Sequence, residues 1–457
     1  MKKILNLFKK NKTLITLALP IFLELFFQFL IGVIDSIQIS FDQDAVSAIN
    51  QTNAVINVIN LVFAVLGTAS IILITQFKGI KDEKNVNKIY CLSFYFNLIV
   101  GIIISFILVF GAKNIFNLMG VEERYIDKAV IYMQINGCFS FVIALTTVFS
   151  SFLRSNKLMI QSTIVTGIMN IMNVGGNALA LFVFNSGIQG VAISSVISRI
   201  VGLIVIVIMY IHYIHSSLSI KNIFPFPGKL FATLLKIGLP SAGENLSYNL
   251  SQLVIIMILN YHFILSQSID VNIRGYIANF TSIVYMFSNA IAQSAQVIIG
   301  PKIAKNEIDD TFHIVKDTVK MSGIITVLCS LIFIAISYPL LNSLLNIKDP
   351  ELKSQAMNIV LIVCAIDILL EFGRSGNIPY VRCLQTVGDI YTPVFFAIIC
   401  CWSVAVLGSY ILSAFCNLGV IGVWISCALD ENIRNIIFTF RWNSKKWTKF
   451  NLIKNIN

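Results

Sequence analysis

LITLALPIFLELFFQFLIGVIDSIQI, from Leu14 to Ile39, is an apolar run with a carboxylate, Asp35, near its far end. A hydrocarbon core about 30 Å thick is crossed by roughly 20 apolar residues in a helix, and this run is long enough to do so. An acid at that depth costs about 2.5–3.5 kcal/mol on insertion scales, and such residues usually face a wet cavity or a partner. No Lys or Arg occurs between Lys12 and Lys78 to neutralise it locally. Asp35 therefore reads as working machinery rather than scaffold.

The rest of the chain has the same character. Of its 457 residues, 57% are hydrophobic and 12% charged, against roughly 25% charged in soluble domains. Mean hydropathy is +0.83. This composition predicts an all-α polytopic membrane protein. Apolar windows place about twelve helices near 14–39, 53–77, 89–112, 130–153, 160–184, 190–214, 235–264, 273–300, 318–345, 356–378, 391–415 and 419–442. The first run is too long for a signal-peptide core and no small-residue cleavage motif follows it, so it reads as a retained span.

The net charge of +11 is a topology signal and not a nucleic-acid footprint. Of the 33 Lys and Arg, twenty-five fall in alternate connections: before Thr13, then at Lys78–Lys88, Arg154/Lys157, Lys221–Lys236, Lys302–Lys320, Arg374/Arg382, and from Arg441 onward. Six lie in the intervening connections. That alternation predicts both termini in the cytoplasm of a plasma-membrane protein. Nine scattered cysteines and four histidines (His212, His215, His262, His313) lack ligand spacing, so neither a disulfide framework nor a metal centre is expected. No Walker A motif or catalytic triad is present, which argues against ATP-driven pumping and against an enzyme. No cofactor and no obligate protein partner is expected; membrane lipids and a small-molecule cargo are.

The chain also repeats itself. LPIFLE at Leu19–Glu24 returns as LPSAGE at Leu239–Glu244, and GIQGVAIS at Gly187–Ser194 returns as GVIGVWIS at Gly419–Ser426. An even number of spans per repeat gives two parallel repeats, hence two six-helix bundles related by a pseudo-twofold axis along the membrane normal. The expected organisation is an N-lobe at 1–214, a polar, proline-bearing linker at 215–232, and a C-lobe at 233–457.

In order and spacing these pieces resemble the MATE (multidrug and toxic compound extrusion) family over essentially the whole chain. The resemblance is carried by LALPIFLELFFQFLIGVIDSIQIS in the first span, LRSNK after the fourth, NIMNVGGNALALF in the fifth and GIQGVAISSVISR in the sixth. IGLPSAGENLSYNLSQLV in the seventh, EFGRSGN with VGDIYTP around the tenth, and GVIGVWISCALDENIR in the twelfth complete it. Two departures stand out. The glycine common shortly after the first-span aspartate is missing from DSIQISFD, and LRSNK lacks the glycine of the usual LRxxGK.

Seven carboxylates fall within spans: Glu24, Asp35, Glu244, Asp367, Glu371, Asp430 and Glu431, accompanied by Arg199, Arg374 and Arg434. Glu371 with Arg374, Glu431 with Arg434 and Asp430 with Arg434 have helical spacings that suit structural ion pairs. Glu24, Asp35 and Glu244 have no such neighbour. Asp35 has no counterpart in the second half, since an offset of 220 lands on Ile255. Asn170, Asn173 and Asn177 form a polar stripe at i, i+3 and i+7 on an otherwise apolar helix; interhelical hydrogen bonding is the plain reading of such a stripe. The resemblance implies that these asparagines and Asp35 bind the coupling ion, H+ or Na+, the latter being the one metal-ion reading here. Cavity or cargo candidates are Glu24, Glu244, Tyr248, Gln252, Asn57, Asp367 and Glu371.

The function expected is secondary active antiport of organic, cationic amphiphilic compounds by alternating access. The alternative is a lipid-linked oligosaccharide flippase of the same superfamily, which would need more intramembrane arginines for its anionic cargo.

Overall fold

The computed structural model describes residues 2–345 and 347–453; Lys454 of the basic tail lies outside them. In chain order the α-helices are α1 Lys2–Lys10, α2 Lys12–Gln38, α3 Gln43–Gly79, α4 Glu83–Leu118, α5 Glu123–Cys138, α6 Ser140–Ser155, α7 Met159–Ala178 and α8 Gly187–Ile214. They continue with α9 Gly228–Tyr261, α10 Gln267–Ala304, α11 Ile308–Leu344, α12 Pro350–Val387, α13 Tyr391–Cys400, α14 Leu407–Tyr410 and α15 Gly419–Asn443. No strand occurs among the described residues. The protein is all-α.

Several helices overrun their apolar windows. The 36 residues of α4 extend about 54 Å at 1.5 Å per residue, well beyond a 30 Å hydrocarbon core. Their polar ends are capped locally: Asp42 and Asp82 accept from the Ala45 and Asn85 amides at 3.0 and 3.1 Å. The Lys128 ammonium, 2.7 Å from Asp42, holds that carboxyl below the usual range. Nine helices among the described residues are long and apolar enough to cross a membrane, and a tenth span results if α5 and α6 count as one, bent by 50°. The windows at 235–264 and 419–442 become α9 and α15, which have the length but carry Glu244, or Asp430, Glu431 and Arg434. Arg374, assigned to a connection by the charge alternation, lies inside α12.

The chain divides into two compact units. One takes the residues up to Phe22 and resumes at Gly243; the other spans Leu23–Ala242. The expected lobe boundaries fall in the connection at 215–232. The units instead divide within α2 and α9, just after Pro20 and Pro240. Proline removes one helical hydrogen bond and crowds the preceding turn, which makes both helices suited to such a division. Phe22 accordingly stacks on Phe287 at 3.7 Å, while Gly238 lies so close to the Val65 carbonyl that no side chain fits there. The connection itself is fastened to α4, with the Tyr95 hydroxyl donating to the Leu218 carbonyl at 3.0 Å.

The duplication is visible in the backbone. A π-turn at Leu179–Val183 is followed by left-handed Asn185 and Gly187; the same sequence of events recurs as the π-turn Ile411–Phe415, Asn417 and Gly419. Each of these positions is offset by 232, the spacing of GIQGVAIS and GVIGVWIS. Gly419 has φ +39°, and a Cβ there would lie 2.7 Å from Ile264 Cγ1 and 2.8 Å from Asp270 Oδ2. Gly419→Ala is therefore expected to cost roughly 1–3 kcal/mol of stability. The check is a thermal melt in detergent beside Gly175→Ala, a helical glycine with nothing within 4 Å of its Cβ position.

Each unit has its own apolar core. In the Leu23–Ala242 unit, Ile39, Ile49, Leu108, Phe116, Tyr132, Met133, Leu181 and Val191 pack together next to the end of α2 that carries Asp35. In the other, Ile255, Ile273, Phe333, Val360, Val363 and Trp424 do so.

Candidate functional site

Asp35 is 3% exposed, and α7 supplies its main partner. Asn177 donates from Nδ2 to Asp35 Oδ1 at 2.6 Å and also to Gln38 Oε1 at 3.0 Å. Gln38 donates in turn to the Val174 carbonyl at 3.1 Å. From α8 the Ser195 hydroxyl reaches Asp35 Oδ2 at 3.5 Å, and it accepts from Asn173 Nδ2 at 3.0 Å. Asn170 donates to the Thr166 carbonyl at 2.9 Å.

What these bonds leave over defines the site. The Oδ1 atoms of Asn170, Asn173 and Asn177 are buried and accept no hydrogen bond from the protein. An unsatisfied buried acceptor costs about 1–3 kcal/mol, so three of them on one helix face amount to a standing demand for a cation or a proton donor. Two of the three amides are tied through their nitrogens to Asp35 or to Ser195, which also contacts it. Hard oxygen donors of this kind, one anionic and several neutral, match a small monovalent cation or a proton. Because Asp35 has no counterpart in the second half, this site belongs to one unit.

The other sequence candidates fall into separate settings. Glu24 is 1% exposed and its Oε1 lies 2.6 Å from Arg154 Nη2. It also accepts from the Ser150 and Ser162 hydroxyls at 2.9 and 2.8 Å. Glu24 is thus an ion-paired tie between α2, α6 and α7. Asn57 is exposed on α3.

In the other unit, Arg374 lies 2.5 Å from Glu371 and 3.3 Å from Glu431. Arg434 lies 2.5 Å from Asp430 and 3.1 Å from Glu431, and Asn377 donates to Glu431 Oε2 at 2.6 Å. Asp367 accepts from Thr281 and Trp424, each at 3.0 Å. Gln252 accepts from Arg274 at 2.9 Å. Tyr248, on the same helix as Glu244, is 36% exposed.

Sequence reasoning missed Gln38, Ser195, Arg154 and the pairing of Arg199 with Asn136 on α5 at 2.9 Å. Ser195 and Arg199 share a face of α8 at i, i+4 in VAISSVISR, and that spacing was the available signal.

A two-unit, all-helical chain with a carboxylate–amide site buried in one unit defines a polytopic membrane transporter. Comparison with known proteins agrees. The MatE family model matches residues 20–179 and again 240–411, the two matches starting at the offset of 220 seen in LPIFLE and LPSAGE. The chain belongs to this family, the MATE multidrug-efflux transporters.

Among its relatives, the uncharacterized transporter YisQ of Bacillus subtilis (strain 168) is 30% identical over 443 residues, covering 96% of this chain and 95% of that protein. The probable multidrug resistance protein NorM of Thermotoga maritima is 21% identical, covering 96% and 93%. A solved outward-facing structure of a multidrug resistance MATE transporter of the MOP superfamily superposes with a TM-score of 0.84 at 18% identity, covering 95% of this chain and 96% of that one.

Proposed function

We propose that the chain is a cation-coupled antiporter that exports organic compounds, with Asp35 as the residue that takes up the coupling ion. The buried Asp35 carboxylate bonded to Asn177, with unpartnered amide oxygens on Asn177, Asn173 and, further along the same face of α7, Asn170, carries this reading. Both termini lie in the cytoplasm, by the alternation of basic connections. With the N-terminus of α2 inside, Asp35 sits in the outer half of the membrane, accessible to H+ or Na+ from outside.

Coupling needs a difference in affinity between two states. When the ion binds, the negative charge of Asp35 is cancelled and the amide oxygens gain a partner; both changes favour one packing of α2 against α7 and α8. When the ion leaves toward the cytoplasm, the anion returns and favours a cationic cargo. NorM of Thermotoga maritima bears the name of a multidrug resistance protein, which supports an organic cargo here.

The test is transport of an ethidium-like dye by purified protein in liposomes, under an imposed pH gradient or an imposed Na+ gradient. Dye movement driven by one gradient and dissipated by an ionophore for that ion is expected. Dye flux indifferent to both overturns the reading.

A further inference from the structure

Beyond binding the coupling ion, a transporter of this kind must keep that ion from crossing without cargo. We infer that Arg199 is the residue that prevents the leak, an inference that rests on the coupling role of Asp35. The route to be blocked is a polar line along α7. Ser162, Thr166, Asn170, Asn173 and Asn177 recur at helical spacing and are 1%, 6%, 8%, 1% and 0% exposed. Its two ends are bonded to the two carboxylates of α2: Ser162 donates to Glu24 at 2.8 Å and Asn177 to Asp35 at 2.6 Å. Fifteen residues of helix span about 22 Å, so the line bridges most of a hydrocarbon core. Three of its amide oxygens are unpartnered. A row of carbonyl oxygens is what replaces the hydration shell of a cation in a conducting pore.

Arg199 stands beside the middle of this line. On α8, Ser194 and Ser195 lie level with Asn173, to which both are hydrogen-bonded, and Gly202 backs onto Met169. Arg199, between them, is therefore level with Asn170. Its guanidinium donates to Asn136 Oδ1 at 2.9 Å, and among the described residues no carboxylate lies within ion-pairing distance of it. It lies within electrostatic range of Asp35 and of the Tyr132 hydroxyl. The other charges along the line, Glu24 and Arg154, are paired with one another. A guanidinium without its own acid is expensive inside a membrane. Fixed beside an oxygen-lined path, it repels any cation that leaves Asp35 inward along α7, as an arginine does in pores that exclude protons and cations. The ion must then leave by the conformational change that moves the cargo.

The experiment uses full-length protein in liposomes without cargo, loaded with a pH- or Na+-sensitive dye. Cargo-independent cation entry down an imposed gradient is expected to be near background for the native protein and Arg199→Lys. It should rise about tenfold in Arg199→Gln and in Arg199→Met, since a unit charge roughly 10 Å away opposes a cation by about that factor at an effective dielectric near 20. Asn136→Ala, which keeps the charge but frees it from its anchor, should leak at an intermediate rate and decides the matter if the Arg199 variants do not fold. Adding Asp35→Asn or Asn170→Leu to Arg199→Gln should seal the leak again. No added leak in any of the folded Arg199 or Asn136 variants, or a leak that survives interruption of the line, overturns the inference. Gradient-driven export retained by Asp35→Asn alone would instead overturn the coupling role of Asp35.

Discussion

Asp35→Asn is expected to reduce gradient-driven dye export to the level of protein-free liposomes while leaving the protein folded and able to bind dye. The side chain is nearly isosteric and can still accept from Asn177, so the contacts that pack α2 against α7 persist. What disappears is the negative charge at the buried amide stripe that a proton or sodium ion could cancel; Glu24, at the other end of that stripe, is already held by Arg154. An ion with equal affinity for both states of a transporter shifts nothing, however steep its gradient. Moving a two-state equilibrium from 1:99 to 99:1 needs roughly 5.5 kcal/mol of differential binding, and neutral amides supply far less than a carboxylate. Asp35→Glu keeps the charge but displaces it by one methylene, so it should retain slow, still gradient-dependent export. The comparison is made in proteoliposomes with matched protein content. Native-rate export by Asp35→Asn would remove the residue from the mechanism.

Legibility of this molecule in its sequence follows a physical divide. Asp35 and the asparagine stripe were visible because each is a local contradiction: an acid or a polar row inside an apolar helix needs no partner to look wrong. Their surroundings were not. Ser195 lies 160 residues from Asp35, in a serine-rich stretch where no single hydroxyl stands out. Arg154 read as one more basic residue of a connection, whereas its guanidinium reaches Glu24 at 2.6 Å. Ser162 and Thr166 continue the stripe of α7, but hydroxyls in membrane helices usually bond their own backbone, as Thr166 does, and so carry little signal. The repeat was readable from two short motifs. The division of the units within α2 and α9 was not, because a proline marks where a helix can yield without saying to which neighbour each half will pack. The paired π-turns have no sequence signature of their own. The Asn-x-Gly after each, Asn185–Gly187 and Asn417–Gly419, is the trace they left.

Arg374→Ala is expected to be the most destabilising single substitution among the charged residues of the second unit. Arg374 bridges two helices: it pairs within α12 with Glu371 at 2.5 Å and across to Glu431 of α15 at 3.3 Å, and its guanidinium lies over the Tyr285 ring at 5.7 Å. Glu371 is 0% exposed, and Arg374 is its partner in the ion-pair network. Removing one member of a buried ion pair leaves an uncompensated charge and costs about 3–5 kcal/mol, whereas replacing the whole pair with apolar groups of similar size is often close to neutral. That asymmetry yields a graded test. Arg374→Ala should show a large drop in melting temperature and poor recovery in detergent. Asp430→Asn should cost less, because Arg434 keeps Glu431 at 3.1 Å. The double variant Glu371→Gln/Arg374→Met should recover most of the stability lost by Arg374→Ala. The same double variant separates scaffold from transport. If these residues only fasten α12 to α15, the recovered protein exports dye at the native rate; if its export stays low with stability restored, the network also takes part in the transport cycle. Arg374→Ala melting with the native protein would mean that Glu371 and Glu431 do not depend on this guanidinium, and the ion-pair network would have no claim to holding the unit together.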